Sequence, residues 1–90
     1  MNRTIVTLVG KDMVGIIAKV CTYFAENNIN ILDIAQTTVQ DFINMMMIVD
    51  TSKTDKSFSQ MTEELDKIGD KICCTIKAQH EEIFNMMHRV

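Results

Sequence analysis

Several features that mark other classes of protein are missing from this sequence of 90 residues. No apolar run reaches the roughly 18 residues that a membrane-spanning helix needs, and Met1 is not followed by the basic and long apolar segments of a secretory signal. Acidic residues outnumber basic ones by 12 to 9, which gives a net charge of −3. That balance argues against nucleic-acid binding through a basic face. We expect neither membrane nor nucleic-acid partners.

Cysteine is also scarce. The three cysteines are odd in number and two of them, Cys73 and Cys74, are adjacent, which does not suit a disulfide framework. A reducing compartment, the cytoplasm, is therefore expected. Apolar residues make up 47% of the chain, enough for a core, so general disorder is excluded. No internal repeat or low-complexity stretch divides the chain.

Strand and helix patterns alternate along the sequence. Runs rich in β-branched or alternating apolar residues predict strands, and apolar residues at three- and four-residue spacing predict helices. The first helix has such a stripe in Ile17, Val20, Cys21 and Phe24. The predicted elements are strand one at 3–9, helix one at 14–27, strand two at 31–40, strand three at 42–50, helix two at 57–69, strand four at 72–79 and a tail helix at 81–90.

Capping signals bound the two main helices. Asp12 is expected to be the N-cap of helix one, and the pair Asn27-Asn28 to stop that helix, because asparagine tolerates the left-handed conformation. Ser57 and Gln60 predict a capping box at the start of helix two. Gly69 is expected to end helix two as its C-cap.

This order of elements predicts an α+β fold, the ferredoxin-like β-α-β-β-α-β sandwich with an added C-terminal helix. Strands two and four each have a polar side, whereas strand three is apolar on both sides. Strands with a polar side suit the edges of a sheet, and strands that are apolar on both sides suit its centre. We therefore expect the antiparallel order 4-1-3-2. We expect one domain over residues 1–90, with a core at about 1–80 and the tail helix at about 81–90.

Two helices can cover only one face of this sheet. Met46 and Ile48 lie on the other face, where an exposed apolar patch usually marks an interface. Either the tail helix or a second subunit must cover it, and we predict a homodimer.

The turn from strand one into helix one carries two of the three glycines, in Gly10-Lys11-Asp12-Met13-Val14-Gly15-Ile16-Ile17. Glycine adds little stability at a helix start, but it lets the backbone turn sharply or approach another group closely. The first N–H groups of a helix lack partners within the helix and can bind an anion. Because Asp12 would repel a bare anion, a zwitterion fits this corner better than phosphate.

The ordered set of strand one, Gly10-x-Asp12-x-x-Gly15-Ile16, helix one and Asn30-Ile31 resembles the ACT domain, a regulatory module of many enzymes of amino-acid metabolism. The resemblance covers the whole chain, which looks like a free-standing bacterial ACT protein, similar to the glycine-cleavage-repressor type and to an uncharacterised conserved family. The chain departs from many ACT domains in having Val14 where they have proline before the second glycine.

The resemblance implies a non-catalytic regulatory protein that binds a small ligand, an amino acid or similar metabolite, at this loop near a dimer interface. A metabolic enzyme or regulator is the implied protein partner. The matching ligand-binding positions are Asp12, Val14, Gly15, Ile16, Asn30 and Ile31.

Other functions are weighed on the same residues. Acylphosphatases share the topology but need an arginine in the first loop, which has none, and no catalytic triad motif is present. RNA-recognition domains stack bases on central-strand aromatics, where only Phe42 stands. His80, His88 and Cys73 form no paired zinc motif, and we expect neither a metal nor a cofactor. The alternative that stays open is a ligand-free interaction or oligomerisation module that acts on a partner protein.

Overall fold

In the computed structural model, the chain forms a four-stranded antiparallel sheet with two helices on one face. The structure describes residues 3–11 and 15–81. The elements run in the order β1 (Arg3–Lys11), α1 (Ile16–Glu26), β2 (Asn30–Val39), β3 (Phe42–Asp50), α2 (Phe58–Ile72) and β4 (Cys74–His80). The sheet order is β2-β3-β1-β4. The predicted fold class and strand order are confirmed, whereas the predicted tail helix falls, beyond Glu81, outside the described residues.

Strand register fixes which residues lie at each end of the sheet. β1 pairs with β3 from Arg3 opposite Asp50 to Lys11 opposite Phe42. β4 runs alongside β1 from Gly10 opposite Cys74 to Thr4 opposite His80. β2 pairs with β3 along its whole length, with a bulge between Ile31 and Asp33. The start of β1, the start of β2 and the end of β4 therefore share one end of the sheet.

Between the sheet and the helices lies the core, to which each element contributes residues at its own period. Every second residue of β3 is buried there, so that Met45 and Met47 are fully enclosed while Met46, between them, is 38% exposed on the other face. This confirms the prediction that Met46 lies on the face without helices. The core consists of Val6, Leu8, Ile16, Val20, Phe24, Ile29, Ile43, Met45, Met47, Val49, Met61, Leu65, Ile72 and Ile76.

The first helix begins two residues later than predicted, and its N-cap is Gly15, with no side-chain cap bond. The prediction of Asp12 as N-cap is therefore wrong, because the left-handed Gly15 turns the chain into the helix after that position. The shift also changes which isoleucine is buried. Ile16 is 2% exposed in the core, while Ile17, predicted to be buried, is 37% exposed.

The C-terminal end of helix α1 follows the prediction. Asn27 is the C-cap, and Asn28 has a left-handed φ of 58°. The capping box of α2 is also confirmed, since the Gln60 N–H donates to Ser57 Oγ at 3.1 Å and the Ser57 N–H donates to Gln60 Oε1 at 2.9 Å. Glu63 and Lys67, four residues apart on α2, form an exposed ion pair with an N–O distance of 3.8 Å.

The end of α2 corrects a further prediction. Gly69 is not a C-cap but a buried residue within the helix, which continues to Ile72, and Cys73 is the C-cap with a left-handed φ of 57°. Strand β4 begins only at Cys74. The prediction that Ile72 and Cys73 belong to this strand is therefore wrong. A Cβ on Gly69 would lie 2.6 Å from the carbonyl oxygen of Cys74, which shows that glycine serves close packing against β4 here.

Candidate functional site

The corner between β1 and α1 depends on the conformation of Gly15. Its φ of 88° and ψ of 0° are left-handed, and a Cβ added there would meet no atom within 4 Å among the described residues other than its chain neighbours. Glycine adopts this conformation without the steric penalty that other residues have. Gly15 is exposed, so the chain enters the helix beside open space.

The first turn of α1 starts directly after this glycine. The first hydrogen bond of the helix is donated by the Lys19 N–H to the Gly15 carbonyl oxygen at 3.0 Å. By helix geometry, the N–H groups of residues 16–18 have no partner four residues earlier within the helix. The predicted site residues Asp12 and Val14 immediately precede this turn in sequence and lie outside the described residues.

Gly10, the other glycine of the motif, lies against β4. A Cβ on Gly10 would stand 2.5 Å from Cys74 Sγ and 2.9 Å from Cys74 Cα. The side chain of Cys74 thus occupies the space above this glycine, and burial first and then the charge of Cys73 raise the pKa of the Cys74 thiol. Gly10 is therefore explained by strand packing, and Gly15 is the glycine with space for a ligand.

Of the remaining predicted site residues, Ile16 directly follows Gly15 at this corner, whereas Asn30 and Ile31 do not join it within one chain. Ile16 and Ile31 pack on the core, and Asn30 is exposed at the first position of β2, opposite Asp50. Asn30 thus lies at the end of the sheet where β1 begins. The length of β1 separates it from the corner, roughly 26 Å for eight strand steps.

Two cavities lie along the described part of the chain at other places, and neither is lined by Gly15, Ile16, Asn30 or Ile31. The smaller, of about 380 Å³, lies between α1 and α2 beside Tyr23 and Ile68. The larger, of about 560 Å³, is bordered by the loop between β3 and α2 and by the end of β4. The sequence analysis did not predict the larger cavity, although the polar sequence TSKTDK at 51–56, which supplies part of its border, was a possible signal.

A chain of hydrogen bonds links that loop to both helices. Tyr23 Oη donates to Glu64 Oε1 at 2.7 Å, and Lys56 Nζ donates to Glu64 Oε2 at 2.8 Å. The bond from Lys56 first, and then that from Tyr23, lowers the pKa of Glu64. Burial and the bond to Glu64 raise the pKa of Tyr23 well above its usual range. These contacts hold the loop against the helices.

The described residues form neither a metal site nor a membrane-spanning helix. Among residues 3–11 and 15–81, no three His, Cys, Asp or Glu side chains come together as a metal site. No helix in that part of the chain is long and apolar enough to cross a membrane.

Comparisons with known proteins agree with this architecture. The sequence model of the ACT domain matches residues 4–70. A UPF0237 protein of Bifidobacterium longum is 52% identical over 90 residues, which are all of this chain and all of that protein. The solved ACT domain protein from Streptococcus pneumoniae is 35% identical, has a TM-score of 0.81, and is matched over 92% of this chain and 93% of its own.

The chain belongs to the ACT domain family, whose members are regulatory ligand-binding modules. The predicted resemblance is therefore confirmed. A structure described as a glycine cleavage system transcriptional repressor has a TM-score of 0.72 over 88% of this chain and 45% of its own. Its identity of 20% shows a shared fold alone.

Proposed function

We propose that this protein is a non-catalytic regulatory module that binds an amino acid or a similar zwitterion at the β1–α1 corner. The observation that carries the proposal is the left-handed, exposed Gly15, which opens α1 with no side-chain cap; among the described residues other than its chain neighbours, no atom lies within 4 Å of its missing Cβ. Uncapped N–H groups at a helix start suit a carboxylate. Membership of a family of regulatory ligand-binding modules supports the same function.

The second charge of the ligand is assigned to Asp12. This carboxylate stands three residues before Gly15 in sequence and would receive the ammonium group of an amino acid. Val14 and Ile16 flank Gly15 and would border the bound ligand. An acidic group beside uncapped N–H groups selects a zwitterion over a simple anion. The roles of these residues are part of the proposal.

The site is completed in a homodimer. Asn30 and Ile31 lie about the length of β1 from the corner of their own chain, and β2 is an edge strand of the sheet. If two β2 strands pair antiparallel around a two-fold axis, the start of each β2 lies beside the corner end of the other copy. The helices of both copies then share one face, with α1 on the β2 side, because α2 packs over β4.

The assigned setting is the cytoplasm, where the regulated partner is a metabolic enzyme or a regulator. The free thiols of Cys21, Cys73 and Cys74 support a reducing compartment. No bound cofactor is required for this function.

Thermal unfolding with each natural amino acid tests ligand binding. A ligand at 100 times its dissociation constant adds about 2.7 kcal/mol to the free energy of unfolding. For a chain of this size, that raises the melting temperature by roughly ten degrees or more. If no amino acid at millimolar concentration raises the melting temperature, the ligand class is wrong.

Gly15 and Asn28, near opposite ends of α1, both have a positive φ and provide a matched pair of variants. Gly15→Ala and Asn28→Ala each place an alanine at positive φ, and each is expected to lower stability by about 1–2 kcal/mol. Only Gly15→Ala should also weaken amino-acid binding, by tenfold or more in calorimetric titration. Equal affinity for both variants would remove the site from the corner.

Mixed dimers test whether two copies share the site. Gly15→Ala and Asn30→Ala should each weaken binding by tenfold or more on their own. Mixed and re-annealed, they should recover one intact site per heterodimer, because that site takes its corner from one copy and Asn30 from the other. No recovery, or a monomer at micromolar concentration in sedimentation, contradicts the shared site.

One observation favours a second candidate, a ligand-free interaction module. Val9, Phe42 and Met46 expose 50%, 57% and 38% of their surface, all on the sheet face without helices α1 and α2. Such a patch suits a partner protein. Under this alternative no amino acid shifts the melting temperature, whereas Phe42→Ser weakens association with the partner or the second copy.

A further inference from the structure

The cavity of about 560 Å³ lies at the end of the sheet opposite the β1–α1 corner. Its border combines the start of β1, the loop between β3 and α2, the first turn of α2 and the end of β4. The volume falls within the range of about 300–1,000 Å³ that is usual for small-molecule sites. Of the residues assigned to the amino-acid site, the described ones, Gly15, Ile16, Asn30 and Ile31, do not border this cavity.

Three basic side chains from three different parts of the chain converge here: Arg3, Lys56 and His80. Lys56 Nζ donates to Glu64 at 2.8 Å, which leaves two ammonium protons for a further partner. Arg3 Nη1 meets Glu81 Oε2 at 3.5 Å, and the two side chains are 49% and 32% exposed. Each cation thus keeps N–H donors beyond those that contact its carboxylate partner, and these charged donors can bind an anion.

Hydroxyl groups on the same border add donors. Thr54 Oγ1 accepts a hydrogen bond from the Lys56 N–H at 3.2 Å, and Ser57 Oγ accepts one from the Gln60 N–H at 3.1 Å. Since each oxygen already acts as an acceptor, each hydroxyl has its own proton to donate. A border with ammonium, guanidinium and hydroxyl donors matches the several oxygens of a phosphate group.

One wall of the cavity is apolar. Phe58 and Met61 line it, and the Phe58 ring stacks on His80 with ring centroids 4.1 Å apart. The cavity is far larger than one phosphate group, so a ligand that fills it has an organic part against this wall.

We propose that this cavity is a second ligand site, which binds the phosphate group of a small organic phosphate. The phosphate oxygens take the place of the Glu81 carboxylate at Arg3 and contact Lys56, Thr54 and Ser57. Displacing Glu81 is easy because a long, exposed ion pair contributes little to stability. The carbon part of the ligand packs on Phe58.

Amide NMR titration of the full chain tests the second site, with glycerol 3-phosphate and inorganic phosphate as probes. Saturable shifts are expected in residues 51–58, with glycerol 3-phosphate binding more tightly than inorganic phosphate. Equal affinities would assign the site to free phosphate, which overturns the organic part of the proposal. No saturable shift with either probe at tens of millimolar, or shifts at the β1–α1 corner instead, overturns it entirely.

Charge variants separate a specific site from general attraction. Arg3→Gln and Lys56→Met should each weaken glycerol 3-phosphate binding about tenfold. Lys53→Gln removes an exposed lysine of the same loop that does not line the cavity, and it should leave affinity unchanged. Lys56→Met also removes the hydrogen bond to Glu64, so weaker binding by this variant could have a structural cause. The comparison of Arg3→Gln with Lys53→Gln therefore decides whether binding is specific to the cavity. Equal weakening by these two variants would overturn the site.

Discussion

Replacing Gly69 with alanine sets two opposing effects against each other. Gly69 lies inside helix α2, where alanine is favoured over glycine by about 1 kcal/mol. Its Cβ, however, would stand 2.6 Å from the carbonyl oxygen of Cys74 and 3.5 Å from Cγ1 of Ile76. The carbonyl belongs to the backbone of β4, which is paired with β1, so it cannot rotate away as a side chain could.

The steric effect should be larger than the helix preference. Overpacking of a core typically costs about 1–3 kcal/mol, and a contact with fixed backbone lies toward the upper part of that range. After subtracting the helix preference, we expect Gly69→Ala to lower the free energy of unfolding by about 1–2 kcal/mol. For a domain of this size, each kcal/mol lowers the melting temperature by about 4–8 °C.

Urea unfolding at 25 °C, with thermal unfolding in parallel, measures this loss. Asp70→Ala is the control, since Asp70 is the next residue of the same helix but exposed. It should change stability by no more than about 0.5 kcal/mol, in the direction of greater stability. A Gly69→Ala protein as stable as the wild type would refute the close packing of α2 against β4.

Three further predictions follow from the hydrogen bonds of α2 and its neighbours. Ser57→Ala removes the capping box and should lower stability by about 1 kcal/mol in urea unfolding, whereas Ser59→Ala should stay within about 0.5 kcal/mol. Tyr23 is the sole tyrosine, and its raised pKa predicts that phenolate absorbance appears only above the usual range near 10; titration at about 10 would contradict its burial. Because the pKa of Glu64 is lowered on folding, its stabilisation is present above the unfolded value of about 4.3 and disappears as pH falls through the folded value. The stability gap between wild type and Glu64→Gln should therefore narrow from pH 7 to pH 3, and a constant gap would argue against the bond from Lys56.

Local sequence signals predicted those features that neighbouring residues alone can determine. The box of Ser57 and Gln60 and the stop at Asn27 and Asn28 each depend on side chains within three or four residues, and the structure confirms both. The strand order was also predictable, because the alternation of polar and apolar residues reports whether one or both faces of a strand are buried.

The errors fall where a distant contact overrides a local preference. Gly69 has the residue type of a C-cap, but the approach of β4 makes it an interior helix residue. Gly15 takes the N-cap position that the local preference for aspartate assigned to Asp12. The sequence could not predict how far Asn30 lies from the corner, nor the cavity that Arg3, Lys56 and His80 border. Both depend on residues that are far apart along the chain.

By itself, therefore, the sequence determined the succession of elements, the fold and the family, because periodicity and short motifs act over a few residues. Tertiary structure alone decided which glycine faces open space and which residues share an end of the sheet. Those outcomes arise from strand register and backbone approach. They bring together groups such as Thr4 and His80, which are 76 positions apart and whose pairing no local pattern encodes.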